Sequence, residues 1–145
     1  MTANTGARPP RWFWIVAIVL LMWEAMGCAA YLSQVTMDAA DLAKLPRAQA
    51  EIWMAMPDWA KGAYAIAVWI GLAGGIALVM RRRLALVAFL VSLAAVLVQF
   101  GWVFAATPIL TTVGPSAALF PLFIITIGIV SVWFARTAVA RGWLR

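Results

Sequence analysis

The chain contains no histidine, a single cysteine and only five acidic residues among 145. Each shortage removes a class of chemistry. Without histidine there is no Ser-His or Cys-His nucleophile pair, no histidine-ligated haem and no ordinary zinc cluster. Cys28 on its own forms neither an internal disulfide nor a metal cage, and it reads most simply as a small buried hydrophobe. Gly71, Gly74 and Gly75 are not followed by the Lys-Ser/Thr of a phosphate loop. The expectation is a protein that is not an enzyme and carries no metal or cofactor. Charge is scarce as well, at 11% of residues against 66% hydrophobic. That is too little polar surface to clothe a water-soluble core, which leaves a helical membrane protein.

Long apolar runs are what the chain has in abundance. A helix needs about 20 such residues to cross a hydrocarbon layer of about 30 Å. Residues 12–32, 60–80, 84–106 and 116–135 meet that length. The expected fold is an all-α, four-transmembrane-helix bundle forming one domain over residues 1–145. The first run contains Glu24 and is too long for a typical signal-peptide core, so it reads as an uncleaved helix.

The net charge of +6 is unevenly placed. Arg8 and Arg11 precede the first run, Arg81, Arg82 and Arg83 separate the second from the third, and Arg136, Arg141 and Arg145 follow or close the fourth. The other two connections hold Lys44, Arg47 and Lys61 against Asp38, Asp41, Glu51 and Asp58. This is the positive-inside pattern, with both termini cytoplasmic. The arginines belong at anionic headgroups, so the bilayer is the expected partner and nucleic acid is not.

The connection at 33–59 is the one sizeable piece outside the runs. Residues 38–45 and 47–56 both read as short helices, with Pro46 placed where proline starts a helix comfortably. Ile52, Trp53 and Met56 cluster at helical spacing, opposite Arg47, Gln49 and Glu51. Such a helix would lie on the outer leaflet or cap the bundle; a solvated linker with interfacial anchors is the equal alternative. Within the second run, Ala63, Ala67, Gly71 and Gly75 recur every four residues. A small-residue stripe lets backbones approach closely, either within the chain or at an oligomer interface. Pro121 falls in the first turns of the fourth helix, where it can introduce a kink.

Glu24 is the residue most in need of an explanation. An ionisable group this deep costs about 3 kcal/mol on insertion scales unless it is neutralised, paired or hydrated. Counting 1.5 Å per residue from the outer end, Glu24 lies roughly 12 Å in and Gln99 roughly 10 Å, while Trp69 and Thr126 fall at roughly 14–15 Å. One residue from each helix thus reaches a common layer, with Trp23 and Trp102 within a turn of it. These six form the candidate ligand-binding or coupling site. Glu24 would bind or couple, Gln99 would be its polar partner, and the indoles would form walls suited to flat or cationic solutes or to the CH face of a sugar. The competing reading is an interhelical Glu24–Gln99 hydrogen bond worth about 1 kcal/mol that only fixes register. Of the nine tryptophans, Trp12, Trp14, Trp53, Trp59 and Trp143 sit at expected interfaces, as does Tyr31, where anchoring is the usual role. Ser92 and Ser131 are expected to bond to the preceding turns of their own helices.

Over its whole length the chain resembles a family of small four-span bacterial inner-membrane proteins that commonly carry the generic label "sugar transporter". The resemblance rests on Trp12-Phe13-Trp14-Ile15-Val16, Ala30-Tyr31-Leu32-Ser33-Gln34, Leu45-Pro46, Pro57-Asp58-Trp59, Ala65-Ile66-Ala67-Val68, Gly114-Pro115, Trp133-Phe134-Ala135 and Gly142-Trp143-Leu144-Arg145. It implies a bacterial inner-membrane location and a role in moving solutes, and it carries over no site residues. The functional expectation is a small oligomeric transporter of a neutral or sugar-like solute, with Ala67, Gly71 and Gly75 in the helix-packing or oligomer interface. The alternative is a non-catalytic accessory or assembly subunit of a larger inner-membrane complex.

Overall fold

The computed structural model describes residues 7–145, whose regular secondary structure is all helix; residues 1–6, part of the polar amino-terminal arm, lie outside the described residues. Four long helices carry the architecture: α1 (Arg11–Val35), α4 (Asp58–Val79), α5 (Leu84–Ala106) and α7 (Leu119–Ala140). By length and composition all four can cross a membrane, and the chain is a multi-pass integral membrane protein on that ground. Between α1 and α4 lie the short helices α2 (Ala39–Leu42) and α3 (Arg47–Ala55). A single turn, α6 (Ile109–Thr112), and a 3₁₀ turn at Pro115–Ala118 lead into α7.

Local chemistry accounts for most of the boundaries. Extended Pro10 and Pro57 precede α1 and α4, because the residue before a helix need not donate and proline already holds a suitable φ. Asp38 caps α2 by accepting from the Asp41 amide at 2.9 Å. Pro121 is buried in the first turn of α7, where its missing N–H has no intrahelical partner to lose. The fourth helix runs five residues past the expected end at 135. Arg136 did not stop it, since a long basic side chain can leave its stem on the helix and place its head at the interface.

The helices pack in chain order: α4 lies between α1 and α5, and α7 packs on the far side of α5. The small-residue stripe serves this packing from within the chain. Ala63, Ala67, Gly71 and Gly75 are all buried, so the stripe offers no face to a second subunit. A Cβ at Gly75 would stand 3.1 Å from the Leu21 Cα of α1, and one at Gly74 would stand 3.0 Å from the Phe89 ring of α5.

One end of the bundle is solid. Phe13, Leu20, Leu78, Phe89 and Phe134 form the core there, together with Trp143 and Leu144 from the carboxy-terminal tail. Two helix ends make this possible. Both α4 and α7 close in Schellman turns, with Arg82 N–H donating to the Ala77 carbonyl (2.7 Å) and Trp143 N–H to the Ala138 carbonyl (2.9 Å). The turn residues, Arg81 (φ 59°) and Gly142 (φ 70°), are left-handed. The tail then folds back: Arg145 N–H donates to the Arg81 carbonyl (2.7 Å) and Arg83 N–H to the Arg145 carbonyl (2.9 Å). Arg81 itself donates from Nε to the Trp143 carbonyl (2.8 Å) and from Nη2 to the Ala7 carbonyl (3.0 Å). The left-handed arginine, which costs about 1–2 kcal/mol in backbone energy, is thus held by its own side chain. Trp143, expected at an interface, is buried against Trp12 and Phe13 instead (ring centroids 5.4 and 5.7 Å).

Candidate functional site

The half of the bundle away from the arginines is not filled. A cavity of about 820 Å³ opens there between α1, α4, α5 and α7, beneath α3. Its floor includes Glu24 and Ser92, with Gly71 of α4 directly against the Glu24 carboxylate. Glu24 projects from α1 toward α4, and a Cβ on Gly71 would lie 2.9 Å from the Glu24 carboxyl carbon and overlap one of its oxygens. The carboxylate therefore occupies the space that a side chain on Gly71 would take. A helical side chain leans toward the amino end of its own helix. For α1 that is the solid end, so the carboxylate lies deeper than its own backbone. Ser92 closes the floor from α5, donating its hydroxyl to the Ala67 carbonyl of α4 at 2.6 Å.

Gln99 lies one heptad above Ser92, on the same face of α5 and about 10 Å farther from the floor. Its side chain is 8% exposed and lines the cavity. Among the described residues, no protein group hydrogen-bonds the side chain of Glu24 or of Gln99, and no fully enclosed polar atom lacks a partner. Their polar atoms therefore face the open space. The Glu24–Gln99 hydrogen bond considered from the sequence is not formed. Nor, among the described residues, does a cation form an ion pair with the carboxylate. The two ion pairs among the described residues, Lys44–Asp41 (2.9 Å) and Arg47–Glu51 (2.7 Å), both lie in the α2–α3 connection.

The walls above the floor are largely apolar. Met26 and Gly27 of α1, Val68 of α4, Val96, Phe100 and Phe104 of α5 and Ile124 of α7 contribute. The roof is α3 with its approach, through Leu45, Ile52, Trp53 and Met56. Met56 is buried, and the Lys61 ammonium stands 5.6 Å from the Trp53 ring centre. The connection thus caps the bundle rather than forming a solvated linker. Polar groups return at the mouth with Ser33, Gln34 and Gln49.

Three of the six sequence-derived site residues, Glu24, Gln99 and Trp23, line the cavity. Trp69, Trp102 and Thr126 do not. Trp69 is 45% exposed on the outside of α4, and Thr126 is exposed and spends its hydroxyl on the Leu122 carbonyl of its own helix at 2.7 Å. Counting depth placed both at the right level on the wrong side. Each sits two residues, about 200° of helix rotation, from inward-facing neighbours: Trp69 from Ala67 and Gly71, Thr126 from Ile124 and Gly128. Trp102 is half-buried on a flank of α5, outside the cavity lining.

Ser92 and Tyr64 were not singled out from the sequence as site residues, and both line the cavity. Ser131 bonds to the preceding turn of its own helix as expected (Ile127 carbonyl, 2.9 Å), whereas Ser92 crosses to α4. The seven-residue interval between Ser92 and Gln99 was the available signal. Tyr31, expected as an anchor, packs edge-on against Tyr64 at 5.0 Å. Cys28, one turn above Glu24, is buried with its thiol donating to the Val68 carbonyl at 3.2 Å.

Comparison of the chain with protein-family models, with curated proteins and with solved structures finds no match, and nothing in it identifies a sugar-transporter family. The site has to be judged on its own chemistry. Among the described residues no cluster of His, Cys, Asp and Glu could hold a metal ion. What the cavity offers is one carboxylate able to accept hydrogen bonds or face a cation, one deep amide (Gln99) able to donate and accept, further amides and hydroxyls toward the mouth, and aromatic and aliphatic walls.

Proposed function

We propose that the protein binds a small solute in this cavity and moves it across the membrane, with Glu24 as the ligand-binding or coupling carboxylate, Gln99 as a second polar contact and Trp23 as part of the wall. The observation that carries this reading is the pairing of an unpartnered carboxylate and an unpartnered, buried amide with about 820 Å³ of open space. Leaving such groups without partners costs free energy unless something else completes them. The volume also lies within the range of about 300–1,000 Å³ that small-molecule sites occupy. A filled core would have supported the accessory-subunit reading; an open one supports solute binding.

The arginine-rich end belongs in the cytoplasm by the positive-inside rule, so the cavity faces outward. Transport then requires the aromatic plug of Phe13, Phe134 and Trp143 to part while the outer mouth closes under α3. This bundle forms the cavity within one chain, so a homo-oligomer is not needed to complete it. The resemblance to proteins labelled as sugar transporters makes a sugar-like solute the first to try. The test is uptake of labelled hexoses and of a broader solute panel by proteoliposomes. Uptake of at least one solute is expected, with Glu24→Gln reducing it at least tenfold. Full uptake by Glu24→Gln, or no uptake of any solute by a well-folded wild-type protein, removes the proposal.

A further inference from the structure

The cavity reaches the side of the bundle between α1 and α7, where residues of both helices line it. α1 and α7 meet through aromatic side chains rather than close backbone contact: Phe13 with Phe134 (ring centroids 5.6 Å) near the solid end, and Trp23 with Phe123 (5.5 Å) halfway up. Beyond the Trp23–Phe123 pair no such bridge continues. Met26 and Ala30 on α1 and Phe120 on α7 line the cavity there, yet all three are exposed on the outside of the bundle, Met26 at 57% and Phe120 at 67%. Side chains that belong to both surfaces mark a seam. In a bilayer that seam faces hydrocarbon, because Met26, Ala30 and Phe120 beside it are apolar.

What could use such a seam is constrained by what lies inside. Immediately beyond the Trp23–Phe123 pair is Glu24, a carboxyl group with no ion-pair partner among the described residues. Above it the walls are apolar apart from Gln99 and the Tyr64 phenol until the mouth residues are reached. A free sugar presents hydroxyls on every side and would leave most of them unpaired against such walls. A molecule with one positive centre and an apolar body matches both parts. Its head faces the carboxylate, with the Trp23 ring beside it, and its body lies against the Val96–Phe100 wall.

We propose that the occupant is an amphiphile with a single cationic head, admitted from the surrounding leaflet between α1 and α7; this rests on the reading of the cavity as a solute site. Direct binding of radiolabelled dodecylammonium tests it, using the full chain in phosphatidylcholine nanodiscs with empty discs subtracted and glucose and dodecanol as comparison probes. Saturable dodecylammonium binding is expected. Glu24→Gln should weaken it at least tenfold, and Gly71→Ala, which displaces the same carboxylate, supplies a second variant if the first misfolds. Ala30→Trp, a change at an exposed position that narrows the seam, should slow exchange of bound label at least tenfold. Dodecanol binding as tightly as dodecylammonium overturns the cationic head, and unchanged exchange in Ala30→Trp overturns the lateral route. If glucose binds in a Glu24-dependent way and dodecylammonium does not, the ligand class is wrong while the solute-site reading stands. If no probe binds to a folded protein, the cationic amphiphile is overturned, and the solute-site reading falls with it only when the uptake panel also shows nothing.

Discussion

The carboxylate of Glu24 sits in the notch left by the missing side chain of Gly71. A Cβ there would overlap a carboxylate oxygen and stand 3.0 Å from the Ser92 hydroxyl oxygen. Two features that look separate in the sequence, a lone acid in one helix and a small-residue stripe in the next, are one device. Gly75, a turn away, holds the α1 and α4 backbones together, and Gly71 uses the resulting closeness to seat a side chain.

The first prediction tests that coupling. Gly71→Ala should destabilise the protein by about 1–3 kcal/mol, as overpacking does. In a Glu24→Ala background the same substitution should cost much less, because the carboxylate it overlaps is gone and only the 3.0 Å approach to the Ser92 hydroxyl oxygen remains. A double-mutant cycle in a reversible unfolding assay reads the difference directly. Additive effects would mean that Gly71 is needed for helix approach alone. Gly75→Ala is the control: it meets the Leu21 backbone, and its cost should not depend on residue 24.

A second prediction separates the two lipid-depth serines. Ser92 donates to a carbonyl of another helix, whereas Ser131 donates within its own. Ser92→Ala should cost about 1 kcal/mol, because it removes the α5–α4 hydrogen bond and leaves the Ala67 carbonyl with its intrahelical partner alone. Ser131→Ala should be close to neutral. Equal effects in an unfolding titration would show that the α4–α5 hydrogen bond contributes nothing beyond local bonding.

Ligand binding should follow helix rotation rather than depth. Gln99→Leu and Trp23→Ala are expected to weaken binding of whatever solute the cavity takes by tenfold or more, since both line it. Trp69→Ala and Thr126→Val, at comparable depth, should leave affinity within twofold. Loss of affinity in Trp69→Ala would move the site to the outside of α4.

That contrast also shows how far the sequence could be read. Helix number and approximate ends were legible, because an apolar run of given length has one way to cross a bilayer and prolines mark the starts of α1 and α4. Depth was legible from the helical rise. Rotation was not read, because lipid is as apolar as a protein core and a spanning helix shows no polar face toward its surroundings. Small residues were the one inward marker: Trp69 lies opposite the Ala67–Gly71 stripe, which already argued against it. The buried tail was hidden for a different reason. Gly142 signals a turn, but where Trp143 lands depends on hydrogen bonds to the Arg81–Arg83 turn, some 60 residues away in the chain.

The tail carries the last prediction. Trp143 is 6% exposed and Leu144 1%, both packed on the core at the solid end. Trp143→Ala removes a large buried aromatic that touches Trp12 and Phe13 and should cost about 3–5 kcal/mol. Arg81→Ala should also destabilise, by about 1–3 kcal/mol, because it releases the carbonyls of Trp143 and Ala7 and leaves a left-handed residue without its side-chain anchor. Arg81→Gly separates these contributions: glycine loses the same hydrogen bonds but adopts φ 59° without strain, so it should be less damaging than alanine. If alanine and glycine at 81 are equally tolerated and Trp143→Ala is neutral, the tail does not close the bundle. Should the losses match these values, the tail is part of the packed core that closes this end of the bundle.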